Sequence, residues 1–293
     1  MSDVRQSKEY AQFIMLLGWQ VEKLGQWHVF IKKFPLIGSL IKIQRITPPI
    51  PFKEIEKLAQ KHHAFQVVIE PATNHQSPIT NHQPCYRPLK SPFIPTKTLV
   101  LDLKRTEQEI FALFTKNKRR DIRIAERNNL SVQEGTQKQF AELKKKSLLK
   151  RFVLPLGAGR EIFPLLQAFG PQKAKILLAY PSRLSRKPRI PLAGTLLLFH
   201  DKIAYYWQAA STDEGKKLLA PTLLVWEAIK LAKKKDCEEF DFEGVYDERF
   251  PKNKSWIGFT KFKQGFGGKE VVYPAPLTKI RFLGLSSMLH KLI

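Results

Sequence analysis

The chain has few cysteines and few acidic residues, and the signatures of several common enzyme classes are missing from it. Its two cysteines, Cys85 and Cys237, stand far apart and outside any metal-ligand spacing, which fits a reduced cytoplasmic setting better than a disulfide framework. The longest apolar runs, such as 13–17, fall well short of the roughly 20 residues that a membrane-spanning helix needs. Asp3, Arg5 and Glu9 do not make a secretory start. The histidines at 28, 62, 63, 75, 82, 200 and 290 form no HExxH or comparable spacing, so no metal site is expected. No Gly-x-Ser-x-Gly elbow, no Walker loop and no Gly-x-Gly-x-x-Gly after a strand is present, which weakens hydrolase, NTPase and dinucleotide readings.

Cations and apolar residues, by contrast, are plentiful. Lys plus Arg number 50 against 26 Asp plus Glu, a net charge of +24 that predicts attraction to polyanions: nucleic acid, phosphorylated metabolites or anionic lipid. The 293 residues, 43% of them hydrophobic, suffice for two core-bearing units, since domains usually run to about 100–200 residues. Alternating apolar runs predict strands at 27–34, 40–46, 65–70 and 98–103, with a helix over 52–64. Six prolines between 71 and 95 predict a long loop without regular structure. Thr106 with Glu109 makes a capping box, and Ile110, Phe111, Phe114, Ile122 and Ala125 continue at helical spacing to 128–129. Further helices are expected over 138–151, up to 169 and from Pro221, and further strands at 175–180, 193–199, 203–208 and 239–242. The class is α/β with mixed sheets.

Three basic segments carry the candidate chemistry. Lys116, Arg120, Arg123 and Arg127 align along one helix stripe, suited to phosphates or simply a solvated face. Arg183, Arg186, Lys187 and Arg189 lie among prolines with no intervening acid, a positive loop suited to a large polyanion such as tRNA. Residues 251–269 interleave lysines, aromatics and four glycines; here the glycines are expected to let a ligand approach the backbone while Lys263 supplies a point charge. A tight turn with ordinary surface lysines is the plainer alternative. Lys261 and Lys263, read as extended chain, would share a face.

Residues 205–211 (YYWQAAS), Ala220-Pro221 leading into 224–229 (LVWEAI), 240–244 (FDFEG), then Phe259 and 262–268 (FKQGFGG) resemble in order and spacing the C-terminal half of FemABX proteins. Upstream, 98–103 and 118–126 are similar to that family's first-unit strand and Arg-rich helix. The resemblance implies two tandem acetyltransferase-like (GNAT) units: residues 1–133 with 270–293 as the first and 134–269 as the second. The single short helix before Pro155 implies no coiled-coil arm.

The implied activity is transfer of an amino acid from aminoacyl-tRNA to the stem peptide of a lipid-linked or UDP-linked peptidoglycan precursor, without a cofactor. By the same resemblance Lys263 stands near the reacting carbonyl, Phe262 packs beside it, and Tyr206 and Asp241 line the cleft. Arg120, Arg123, Arg151, Arg160 and Lys23 are candidate precursor contacts, and Arg183, Arg186, Lys187 and Arg189 candidate tRNA contacts. A GNAT-type acyltransferase using another donor, or an RNA-binding protein without catalysis, remain as alternatives; acetyl-CoA is disfavoured because 154–159 (LPLGAG) lacks the leading cation of a pyrophosphate loop. The basic, amphipathic residues 280–293 could rest on the inner face of the membrane or pack as a last helix.

Overall fold

The computed structural model describes residues 2–73, 86–149, 159–181 and 190–281. In chain order the elements are α1 (Lys8–Leu16), β1 (Gln20–Leu24), β2 (Trp27–Phe34), β3 (Gly38–Ile46), α2 (Phe52–Lys61), β4 (Ala64–Pro71), β5 (Arg87–Pro88), β6 (Lys97–Asp102), α3 (Glu107–Leu113), α4 (Lys116–Arg127), β7 (Ser131–Glu134), α5 (Gln137–Leu149) and α6 (Ile162–Lys173). They continue with β8 (Ala174–Tyr180), β9 (Ala193–His200), β10 (Ile203–Ser211), α7 (Asp213–Lys217), α8 (Ala220–Lys234), β11 (Glu239–Gly244), α9 (Ile257–Gln264), β12 (Lys269–Val272) and β13 (Leu277–Ile280).

The chain forms two compact units, one built from residues 2–96 with the C-terminal segment from Val272, the other from 97–271. The division falls at 96/97 and not at 133/134. The reason is strand pairing: Lys97–Asp102 runs antiparallel to Glu239–Gly244, which commits it to the second sheet.

In the first unit the sheet order is β1-β2-β3-β4-β13-β5, with β3 and β4 parallel. Alternating residues of these strands, Val29, Ile31, Ile41, Ile43, Val67 and Ile69, are buried in one cluster with Ile55 and Ala59 of α2. The β2–β3 hairpin turns at Phe34-Pro35-Leu36-Ile37, where Ile37 N donates to Phe34 O and Leu36 takes φ 66°. Proline then a left-handed residue is the type II pattern, but glycine or asparagine ordinarily fills the second position; leucine there costs about 1–2 kcal/mol. α2 ends at Lys61, earlier than its periodicity suggests, because Ala64 already pairs with Ser39. Within the proline-rich stretch the described residues include β5, which pairs with β13, so two residues there are regular after all.

The second sheet runs β12-β6-β11-β10-β9-β8-β7, with β10 and β11 parallel across the intervening α8. α8 buries Leu223, Leu224, Val225, Trp226, Ala228 and Ile229, nearly all round, as a helix in a core must. The helix expected from 106 to 128 is broken in two. Phe114 adopts an extended conformation, and Thr115 restarts α4 by accepting from Lys118 N. The break lets Phe114 reach into the core, where its ring meets Phe111, Trp226 and Phe266 at centroid distances of 5.6, 5.5 and 5.2 Å. Replacing Phe114 by Ala should therefore cost about 3–5 kcal/mol, read as a lower urea midpoint with the slope unchanged.

Candidate functional site

The site is set by where two parallel strands stop pairing. β10 and β11 are hydrogen-bonded only over Ile203↔Glu239, Ala204↔Phe240 and Tyr205↔Asp241. Past that point β10 bulges between Tyr206 and Gln208 while staying on β9, and β11 shifts register between Asp241 and Gly244 while staying on β6. Glu243 sits in the left-handed region, φ 58°, within that irregularity. Backbone groups that lose a strand partner there need another.

Lys263 provides one. It lies on α9, only 9% exposed, and its Nζ donates to the Gly244 carbonyl at 2.7 Å. The Phe259 and Tyr206 rings lie 5.0 and 6.0 Å from the same nitrogen. Burial pulls the Lys263 ammonium down to about 8, against the opposing pull of Glu243 and Asp241. Lysine at this position thus keeps its charge near neutrality and releases a proton far more readily than a surface lysine. Because α9 is a helix and not extended chain, Lys261 and Lys263 point to different sides: Lys261 is exposed and Lys263 buried.

Asp241 accepts from Glu243 N at 2.7 Å. The Thr98 hydroxyl lies 2.5 Å from its carboxylate and 2.7 Å from the Glu243 carbonyl, so one hydroxyl proton serves two acceptors. This ties the irregular stretch of β11 to β6. Tyr206 is buried, and burial raises its hydroxyl above the usual range against a hydrogen bond with Thr195. Phe262 packs on Phe266 at 5.3 Å and lies under a cation that the helix stripe concealed, Lys118.

The Lys118 Nζ sits 4.0 Å from the Phe262 ring and 3.5 Å from Thr222 Oγ1, and burial lowers its pKa, partly offset by Asp121. Its register was visible in the sequence: Lys118 lies four residues before the buried Ile122, on the inward face. Arg120 and Arg123 are on the outward face, the first paired with Asp121 at 3.2 Å and the second 5.8 Å from the Phe111 ring. The glycines after Lys263 serve packing and not ligand approach. A Cβ at Gly265 would meet the Lys118 side chain at 2.7 Å, and one at Gly268, φ 96°, the Val100 carbonyl at 3.0 Å.

Arg160 is exposed one residue before Glu161, which with Gln208 holds Lys144 at 2.6 and 2.8 Å, a cluster that sequence reasoning did not single out. Lys23 is exposed on β1 of the first unit. Arg151, Arg183, Arg186, Lys187 and Arg189 lie outside the described residues, as do 282–293.

Residues 168–274, which contain Tyr206, Asp241, Phe262 and Lys263, match the model of the FemAB family. Over this segment the chain is similar to the FemAB family. A crystal structure of FemX superposes with a TM-score of 0.79 at 16% identity, covering 99% of this chain and 94% of that one. L-PGS from Bacillus licheniformis gives 0.57 at 12% identity, over 100% and 97% of the two chains. A tandem GNAT protein from the clavulanic acid biosynthesis pathway gives 0.53 at 9% identity, over 89% and 82%. At these identities the likeness is one of fold: mixed α/β in the tandem GNAT arrangement. No curated protein gives a match.

On β6, Thr98→Val keeps the side-chain volume but takes one donor from the Asp241 carboxylate and the Glu243 carbonyl. We expect a loss of about 1–3 kcal/mol in chemical unfolding, with Thr98→Ser recovering most of it.

Proposed function

We propose that this chain is an acyltransferase of the aminoacyl-tRNA-dependent kind, moving an amino acid onto the stem peptide of a peptidoglycan precursor. The observation that carries the reading is Lys263: a buried cation at the parted ends of two parallel strands, within the FemAB segment and beside Tyr206, Phe262 and Asp241. The net charge of +24 suits two anionic substrates, a tRNA and a phosphate-linked precursor.

The donor ester is already activated, so the reaction needs two large substrates held together and the developing oxyanion stabilised. A neutral amine of the stem peptide attacks the ester carbonyl. A C–N bond forms, the C–O bond to the terminal ribose breaks, and the amine proton passes to the departing ribose oxygen. The Lys263 ammonium has three N–H groups and spends one on Gly244 O, which leaves two for an oxyanion. Substrate-assisted proton transfer needs no protein base, and none is assigned. Arg120, Arg123, Arg151, Arg160 and Lys23 are proposed for the precursor, and Arg183, Arg186, Lys187 and Arg189 for tRNA.

The test is to incubate the purified protein with charged tRNA and either a nucleotide-linked or a lipid-linked muropeptide. A mass gain of one aminoacyl residue supports the reading. RNA binding without transfer, or acyl transfer from another donor alone, overturns it.

Lys263→Met should fold and lose about 100- to 1000-fold in single-turnover transfer, while Lys261→Met, altered on the exposed side of α9, loses little. The pH dependence has a definite sign. With the ammonium as the active form, transfer falls as pH rises through about 8, and this limb is absent in Lys263→Met. Stability moves oppositely: unfolded lysine holds its proton to about 10.4, so the penalty for burying the charge is largest below about 8 and fades as pH rises toward 10.5. Charge reversal at Arg183 and Arg186 should weaken tRNA binding and flatten its salt dependence by about 0.7–0.9 per lost contact, with precursor binding retained.

A further inference from the structure

The first sheet ends in an apolar rim. Leu36, at the tip of the β2–β3 hairpin, is fully exposed (105%), Ile37 beside it 60% and Phe34 39%. Phe34 meets Phe65 edge to face at 5.8 Å, at the start of β4, and β13 finishes at the same end with Ile280, 61% exposed, opposite Gln66. The end of α1 joins them, because Lys32 Nζ donates to the Leu17 and Gly18 carbonyls at 3.4 and 3.0 Å, and Met15 and Leu16 there are 50% and 42% exposed. Six large apolar side chains therefore stand in water at one end of one sheet. Single exposed apolar residues need no explanation, but six gathered at one end of a sheet are more than such scatter accounts for.

What borders the rim is basic. Lys33 is exposed directly beside Phe34 and has no ion-pair partner among the described residues. Lys61 and His62 meet Glu22 at the edge, and Arg281 meets Glu56, so the nearby carboxylates are already neutralised. The tip also holds a leucine in a left-handed turn position that glycine would fill without strain. The sequence that follows Arg281, FLGLSSMLHKLI, carries seven apolar residues with His290 and Lys291.

The geometry points to this rim as a lipid-binding edge: Leu36 and Ile37 enter the headgroup boundary of an anionic bilayer while Lys33 and its neighbours meet the lipid phosphates. A narrow apolar tip ringed by cations fits an anionic lipid surface better than another protein, whose interface would offer it a groove, and the net charge of +24 favours the same partner. The assignment does not depend on the transfer reaction.

It is tested by co-sedimentation with vesicles of phosphatidylcholine alone and of phosphatidylcholine mixed with phosphatidylglycerol, at low and high salt. The protein should bind the anionic vesicles, and Leu36→Asp with Ile37→Asp should weaken that binding about tenfold or more. Both positions are exposed, and an unchanged melting temperature verifies folding. The same change on an exposed apolar residue of the other unit, Phe163→Asp, should leave binding intact. The proposal fails if the protein ignores anionic vesicles, or if both variants bind like the parent. It fails too if truncation after Arg281 abolishes binding that the double variant retains, or if the double variant turns a dimer into a monomer without altering vesicle binding. Transfer to a soluble nucleotide-linked muropeptide, measured in parallel, should be unaffected by the double variant, which separates this result from the fate of the proposed reaction.

Discussion

Parallel strands that separate leave carbonyls and amides with nothing opposite them, and in a buried place each such group must find a partner or cost about 1–3 kcal/mol. In this chain β10 and β11 separate after Tyr205 and Asp241, and the Gly244 carbonyl is met by the ammonium of Lys263. One contact therefore satisfies a strand end and fixes a charge in space. The arrangement around it follows: Thr98 ties the irregular part of β11 to β6, and Phe114 and Phe266 fill the space beneath.

A buried ammonium is tolerated only where something answers it. Here the answer is partial: a carbonyl, two aromatic faces and the nearby carboxylates of Asp241 and Glu243 leave the proton less tightly held than on a surface lysine. In the transfer proposed above, a transition state that develops negative charge would supply what the resting protein withholds, and a difference of that kind between ground and transition state is what accelerates a reaction. Lys118 repeats the theme on the other side of Phe262, half-buried over an aromatic ring with its pKa lowered by burial.

The order and spacing of the motifs in the sequence put Tyr206, Asp241, Phe262 and Lys263 forward as candidates, and the fold sets Tyr206 and Lys263 close together, 6.0 Å from ring to ammonium. Their surroundings were less legible. The segment around Lys263 is rich in aromatics and glycines, which hid a helix whose Phe259, Phe262 and Lys263 nevertheless stand at offsets of three and four from Phe259. Lys118 entered only as the start of the Arg-rich run 118–126, although its register with Ile122 and Ala125 set it on the inward face. The unit boundary was unreadable for a different reason. Thr98 meets Asp241 across 143 residues of chain, and no local pattern announces a pairing of that separation. The apolar rim went unread because Phe34 looks like an ordinary strand residue, and because Leu36 and Ile37 lie between the expected strands with nothing to show which end of the sheet they share with Ile280.

The first sheet is interrupted by the second unit. β13 lies between β4 and β5, yet it is separated from both by the whole of residues 97–271. On a ribosome, where chains fold from the N-terminus onward, β4 emerges early with its outer edge unpaired and waits while an entire second unit is made. That open edge is a template for wrong partners until Leu277–Ile280 arrives, so β13 acts as a clasp whose timing, as much as its energy, governs the yield of folded protein.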